Sequence, residues 1–133
     1  MIRFTRTAGL AALACAALLC AACEPLTLTA RDNGRAVQLA PGKKFKLVLT
    51  SNPSTGYHWD VVTLDPAVVQ QGEVLARAQD ARSGPPLAGA PVTMVWTFKT
   101  VAPGHTGLKL AYHPPAPQPG ASEQTYTADI TVR

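Results

Sequence analysis

The chain has 133 residues, 47% of them hydrophobic and 15% charged, which is enough for one domain and too little for two. That apolar fraction excludes a disordered chain. The net charge is +4, and Arg3 and Arg6 at the extreme N-terminus supply half of the excess, so the concentrated basic face of a nucleic-acid binder is excluded as well.

In chain order, the first segment is an address. Arg3 and Arg6 are followed by fifteen uncharged residues, Ala8 to Ala22. A basic start, a short apolar run and small residues before a break describe a secretory signal. The run is shorter than the roughly 18 to 20 residues of a membrane-spanning helix. Cys15, Cys20 and Cys23 are all the cysteines. Ala21-Ala22-Cys23 before Glu24 resembles the bacterial lipoprotein cleavage box, whose cysteine becomes the lipidated N-terminus, although Cys20 stands where that box usually has Leu. The expected organisation is a signal peptide over 1–22 and a domain over 23–133. That domain is expected to be exported to the cell envelope and anchored through lipid on Cys23 in a bacterial membrane, in the periplasm or at the outer membrane, with ordinary cleavage near Ala22 and a soluble secreted protein as the alternative. With Cys23 acylated, the domain has no thiol. This excludes a cysteine nucleophile, a Cys-based zinc site and a disulfide framework. About 111 residues must then stand on a hydrophobic core, which is feasible at that size.

The remainder alternates with period two rather than with helical spacing. Short strands are expected at Leu26–Ala30, Arg35–Leu39, Lys44–Thr50, His58–Leu64, Val68–Ala76, Val92–Lys99, Leu108–Tyr112 and Tyr126–Val132. Phe45, Leu47 and Leu49 share one face of their strand, as do Val92, Met94, Trp96 and Phe98. Tyr126, Ala128, Ile130 and Val132 do the same, so each strand has one buried face. Pro41-Gly42 and Pro103-Gly104 are turn signals. Seven to eight strands in this length predict an all-β, antiparallel β-sandwich, with a small closed barrel as the alternative. Lys43, Lys44 and Lys46 read as a solvated strand face.

Three connections are longer than tight turns: Ser51–Gly56, Asp80–Pro91 and His113–Gly120. Loops on a rigid sandwich are where binding function usually sits. In the first, Pro53 fixes its own φ and pushes Asn52 toward an extended conformation. Gly56 permits a positive φ that closes the loop. Ser54 and Thr55 are presented between them, and Tyr57 and Trp59 alternate into the next strand as anchors. The third is a proline-rich spacer, with a polyproline II ligand as the alternative reading.

Asn52-Pro53-Ser54-Thr55-Gly56-Tyr57-His58-Trp59 resembles the Asn-Pro-[Ser/Thr]-Thr-Gly-[Phe/Tyr]-x-Trp signature of the chagasin family. These are protein inhibitors of papain-like cysteine peptidases on an immunoglobulin-like β-sandwich. The likeness runs from about Leu26 to Val132 in motif order and strand spacing. The family's Gly-x-Gly-Gly turn corresponds to Gly89-Ala90-Pro91-Val92, where only the first glycine is kept and Pro91 has no N–H to donate. Its Arg-Pro-Trp motif follows a strand ending in Tyr, and here Tyr112-His113-Pro114-Pro115-Ala116 holds that place. Pro115 matches the central proline, Pro114 stands for the Arg and Ala116 for the Trp, so the aromatic anchor is missing. The resemblance implies that three loops at one end form a wedge. Asn52 to Tyr57, Gly89, Ala90 and His113 to Ala116 would contact the peptidase, and Ser54 and Thr55 would lie beside its catalytic Cys–His pair. Inhibition is expected to be reversible and non-covalent, by a monomer that uses no cofactor and no metal. The alternative is a non-inhibitory envelope adhesion or assembly module on the same fold.

A Ser54-His58-Asp60 set can be drawn for an enzyme, but no nucleophile-elbow pattern accompanies it. His58 and Asp60 point the same way on a strand, yet two candidate ligands without a His or Cys pair are a poor metal site. No catalysis is expected.

Overall fold

Alternation of apolar and polar side chains sets the elements, and strands form where the sequence alternates. In the computed structural model the described residues are 24–78, 89–116, 118–120 and 123–133. The expected signal segment 1–22, Cys23, Pro117 and most of the Asp80–Pro91 loop lie outside them. The strands are β1 (Leu26–Thr29), β2 (Arg35–Leu39), β3 (Lys44–Ser51), β4 (His58–Thr63), β5 (Val69–Ala78), β6 (Val92–Thr100), β7 (Gly104–His113) and β8 (Gln124–Val132). Two 3-10 turns, Ala30–Asp32 and Pro53–Thr55, complete the described elements. β7 starts four residues before the expected Leu108. Gly104 to Gly107 lack apolar alternation, but they pair with Val132 to Asp129 of β8, so the partner strand continues the ladder.

The strands form two four-stranded sheets, ordered β1-β3-β6-β5 and β2-β8-β7-β4. Pairing is antiparallel except at the first two strands. β1 runs parallel to β3, and β2 runs parallel to β8. The chain passes from one sheet to the other through the turn at Ala30–Asp32. There the Thr29 N–H donates to Asp32 Oδ2 at 2.8 Å, and Arg35 donates to Asp32 Oδ1 at 2.9 Å. These donors, the Thr29 N–H first, hold the Asp32 carboxyl below its usual range.

The inner faces meet as in a sandwich. One contributes Leu28, Phe45, Leu47, Leu49, Val69, Trp96 and Phe98; the other Val37, Leu108, Leu110, Tyr126, Ala128, Ile130 and Val132. Phe45 and Phe98 sit directly opposite across β3 and β6, with ring centroids 5.2 Å apart. Burial pushes the Tyr126 hydroxyl up to about 12, so it stays neutral in the core.

Register brings the long connections to one end. Ser51 at the end of β3 pairs with Val92 at the start of β6, which also pairs with Ala78 at the end of β5. In the other sheet, His58 at the start of β4 pairs with His113 at the end of β7.

Candidate functional site

Local chain chemistry shapes the first loop. Asn52 is extended (φ −123°, ψ 90°), as a residue before proline prefers. Pro53 opens a single 3-10 turn, and Gly56 ends it in the left-handed region at φ 79°. Thr55 N–H donates to the Asn52 carbonyl at 3.2 Å and Gly56 N–H to the Pro53 carbonyl at 3.1 Å.

Asn52 uses every polar group it has. Its N–H donates to the Tyr112 hydroxyl at 3.0 Å, and its Nδ2 donates to the Gly89 carbonyl at 3.4 Å. Its Oδ1 accepts from Ser54 Oγ at 2.6 Å, and its carbonyl also accepts from Thr55 Oγ1 at 2.7 Å. The exposed hydroxyls of Ser54 and Thr55 therefore give their hydrogens to the loop itself and keep lone pairs for a partner.

The first loop touches both of the others. A Cβ on Gly56 would lie 3.6 Å from Pro115 Cδ, and one on Gly89 would lie 3.9 Å from Ser54 Oγ. Gly89 has φ 87°, a conformation that suits glycine. Below the loops, Tyr112 packs against Tyr57 (5.4 Å between centroids) and Trp59 (4.9 Å), and Trp59 Nε1 donates to the Thr50 carbonyl at 3.0 Å. The alternation of Tyr57 and Trp59 suggested these anchors. The Tyr112 hydroxyl as acceptor for Asn52 has no local sequence signal beyond its position at a strand end.

The expected contact residues are gathered here but do not all face outward. Pro53 to Gly56, Gly89, Pro115 and Ala116 are exposed, while Asn52, Tyr57 and Ala90 are half-buried. Pro114, which stands for an arginine, is buried, and His113 turns aside to Asp60. His113 Nε2 lies 2.9 Å and His58 Nε2 3.1 Å from Asp60 Oδ2. The Pro114 carbonyl first, then the Asp60 carboxylate, raise the pKa of His113 above its ordinary value. The drawn Ser54-His58-Asp60 relay is not assembled: Ser54 donates to Asn52, and His58 faces Asp60 and the Gly56 carbonyl. Sequence spacing counted two metal-ligand candidates here, and the β4–β7 register adds His113 as a third.

The model of the family described as "Chagasin family peptidase inhibitor I42" matches residues 38–130. Three solved structures share the fold. The cysteine protease inhibitor EhICP2 from Entamoeba histolytica is 23% identical, with a TM-score of 0.70 over 81% of this chain and 95% of that one. Amebosin, a solution structure, is also 23% identical, with a TM-score of 0.66 over 83% and 99%. PbICP-C, solved in complex with falcipain-2, is 18% identical, with a TM-score of 0.58 over 83% and 92%. No curated protein matches the chain.

Proposed function

The chain belongs to the chagasin family of peptidase inhibitors, and from that premise we propose that it blocks papain-like cysteine peptidases by wedging its loop end into their active-site cleft. It is an inhibitor and not an enzyme. The complex of PbICP-C with falcipain-2 supports a peptidase as the partner. The observation that carries the reading is the first loop, braced by Asn52 to Tyr112 below and to Gly89 beside it.

A braced loop loses little conformational entropy on docking, so more of the contact energy appears as affinity. Its backbone is turned into a 3-10 turn at Pro53–Thr55, away from the extended pose a peptidase cleaves. Occlusion then needs no covalent step. Ser54 and Thr55 at the exposed tip supply lone pairs to donors in the cleft. The second loop acts through Gly89, because Pro91 has no N–H to offer. The third loop acts through Pro115 and Ala116, since Pro114 is buried.

The test is a titration of the protein against papain and a cathepsin L-like peptidase. Absence of inhibition at micromolar concentration overturns the reading and favours the envelope module. In the same assay Ala116→Trp tightens inhibition roughly thirtyfold, since a buried interface aromatic contributes about 2 kcal/mol. An unchanged constant would remove the third loop from the contact.

We also propose that residues 1–22 are a removable signal and that 23–133 is the exported domain, tethered by lipid on Cys23. The support is the basic start, the short apolar run and Ala21-Ala22-Cys23. A fatty-acyl label is expected on the wild type and absent from Cys23→Ala. An unlabelled, soluble wild type would refute the tether and leave inhibition untouched.

A further inference from the structure

His58 and Asp60 are two apart on β4 and project from one face. His113 on β7 sits directly across from His58, with ring centroids 4.7 Å apart. Each imidazole has Nδ1 against a main-chain carbonyl: Pro114 at 2.7 Å for His113, Gly56 at 3.4 Å for His58. A carbonyl oxygen only accepts, which favours the tautomer with the hydrogen on Nδ1, and in that tautomer Nε2 of the neutral ring presents a lone pair. Both Nε2 atoms face Asp60 Oδ2, at 2.9 and 3.1 Å, and an ionised carboxylate also only accepts. In that tautomer three electron-pair donors converge on one point, whereas a hydrogen on either Nε2 would bond that ring to the carboxylate instead. Placing a proton on each Nε2 would set two cationic rings side by side on one carboxylate. A single dication resolves the same conflict with both rings neutral.

We propose that His58 Nε2, His113 Nε2 and Asp60 form a binding site for a divalent transition-type cation, of which Zn2+ fits best. Bonds of about 2.0 Å at tetrahedral angles separate ligand atoms by about 3.3 Å. The three donors lie within 4.8 Å of one another, so small side-chain rotations suffice. Two imidazoles and one carboxylate suit zinc, whereas magnesium and calcium prefer oxygen alone. The carbonyls on Nδ1 are the outer partners that orient metal-bound histidines. Glu123 adds negative potential at His113. The side chains are 45%, 52% and 33% exposed for His58, Asp60 and His113, so an ion reaches them from solvent and the fourth position is left to water. The bound ion would tie the strand leaving the first loop to the strand entering the third.

The experiment is a calorimetric titration with zinc sulfate and no peptidase present, so its outcome is separate from that of the inhibitor reading. The full chain is used with Cys15, Cys20 and Cys23 replaced by Ser, so that no thiol competes. One equivalent of Zn2+ binds and raises the thermal midpoint. His113→Ala, Asp60→Asn and the more exposed His58→Ala each weaken binding more than about tenfold and cancel the midpoint shift, with unchanged circular dichroism. Magnesium does not bind. Absence of binding, binding that survives all three substitutions, or equal binding of Mg2+ would overturn the site.

Discussion

Gly56→Val weakens inhibition of papain at least about thirtyfold while the sandwich stays folded. Gly56 closes the 3-10 turn at φ 79°, where a β-branched residue is a genuine outlier. A left-handed conformation costs an ordinary L-residue roughly 1–2 kcal/mol, and valine more. A Cβ here would make ordinary contact with Pro115 Cδ at 3.6 Å, so the cost comes from the backbone and not from crowding. About 2 kcal/mol corresponds to roughly thirtyfold in an equilibrium constant. Thr55→Ala makes the milder comparison, because it removes one internal donor at exposed positions and costs about 1 kcal/mol. The check is the inhibition constant of each variant, with thermal unfolding to verify the fold. If Gly56→Val inhibits like the wild type, the contact surface lies elsewhere on the sandwich.

Phe98→Ala removes about 3–5 kcal/mol of stability. Phe98 is fully buried on the inner face of its sheet and stacked on Phe45, and the neighbours cannot collapse into the space without breaking the β3–β6 ladder. A domain of this size has about 5–15 kcal/mol in all, and residues 24–133 contain no cysteine to cross-link it. The thermal midpoint should fall by more than about 10 °C. Lys99→Ala, one residue on and exposed, changes stability by no more than about 0.5 kcal/mol. Urea unfolding of both variants measures the contrast. A loss below about 1 kcal/mol at Phe98 would mean that the stack does not organise the core.

What the sequence makes legible here is what is local. Alternation at Phe45, Leu47 and Leu49 names the buried face of β3 without any partner, and Pro53 and Gly56 carry the turn geometry in their own backbones. Pairing is not local. Nothing in Leu26–Thr29 says that it lies parallel to β3, because alternation identifies a face and not a neighbour. His58 and His113 meet only through the register of two strands some fifty residues apart, so spacing hides the third member of their cluster. The same holds for Asn52, whose contacts reach Gly89 and Tyr112. Alignment with a motif places Pro114 among the contact residues, and its burial follows from packing that the motif does not contain.

The parallel pairing of β1 with β3 gives the molecule a front and a back. Leu26 lies beside Phe45, near the start of β3, while the first loop leaves from Ser51 at its other end. Six strand residues at about 3.3 Å each separate the two points by about 20 Å. The chain therefore enters the sandwich at the pole opposite its three loops. Leu26 thus marks the back of the molecule and the three loops its front. An attachment at that pole, such as the proposed lipid on Cys23, would leave the front open to a partner as bulky as a whole peptidase.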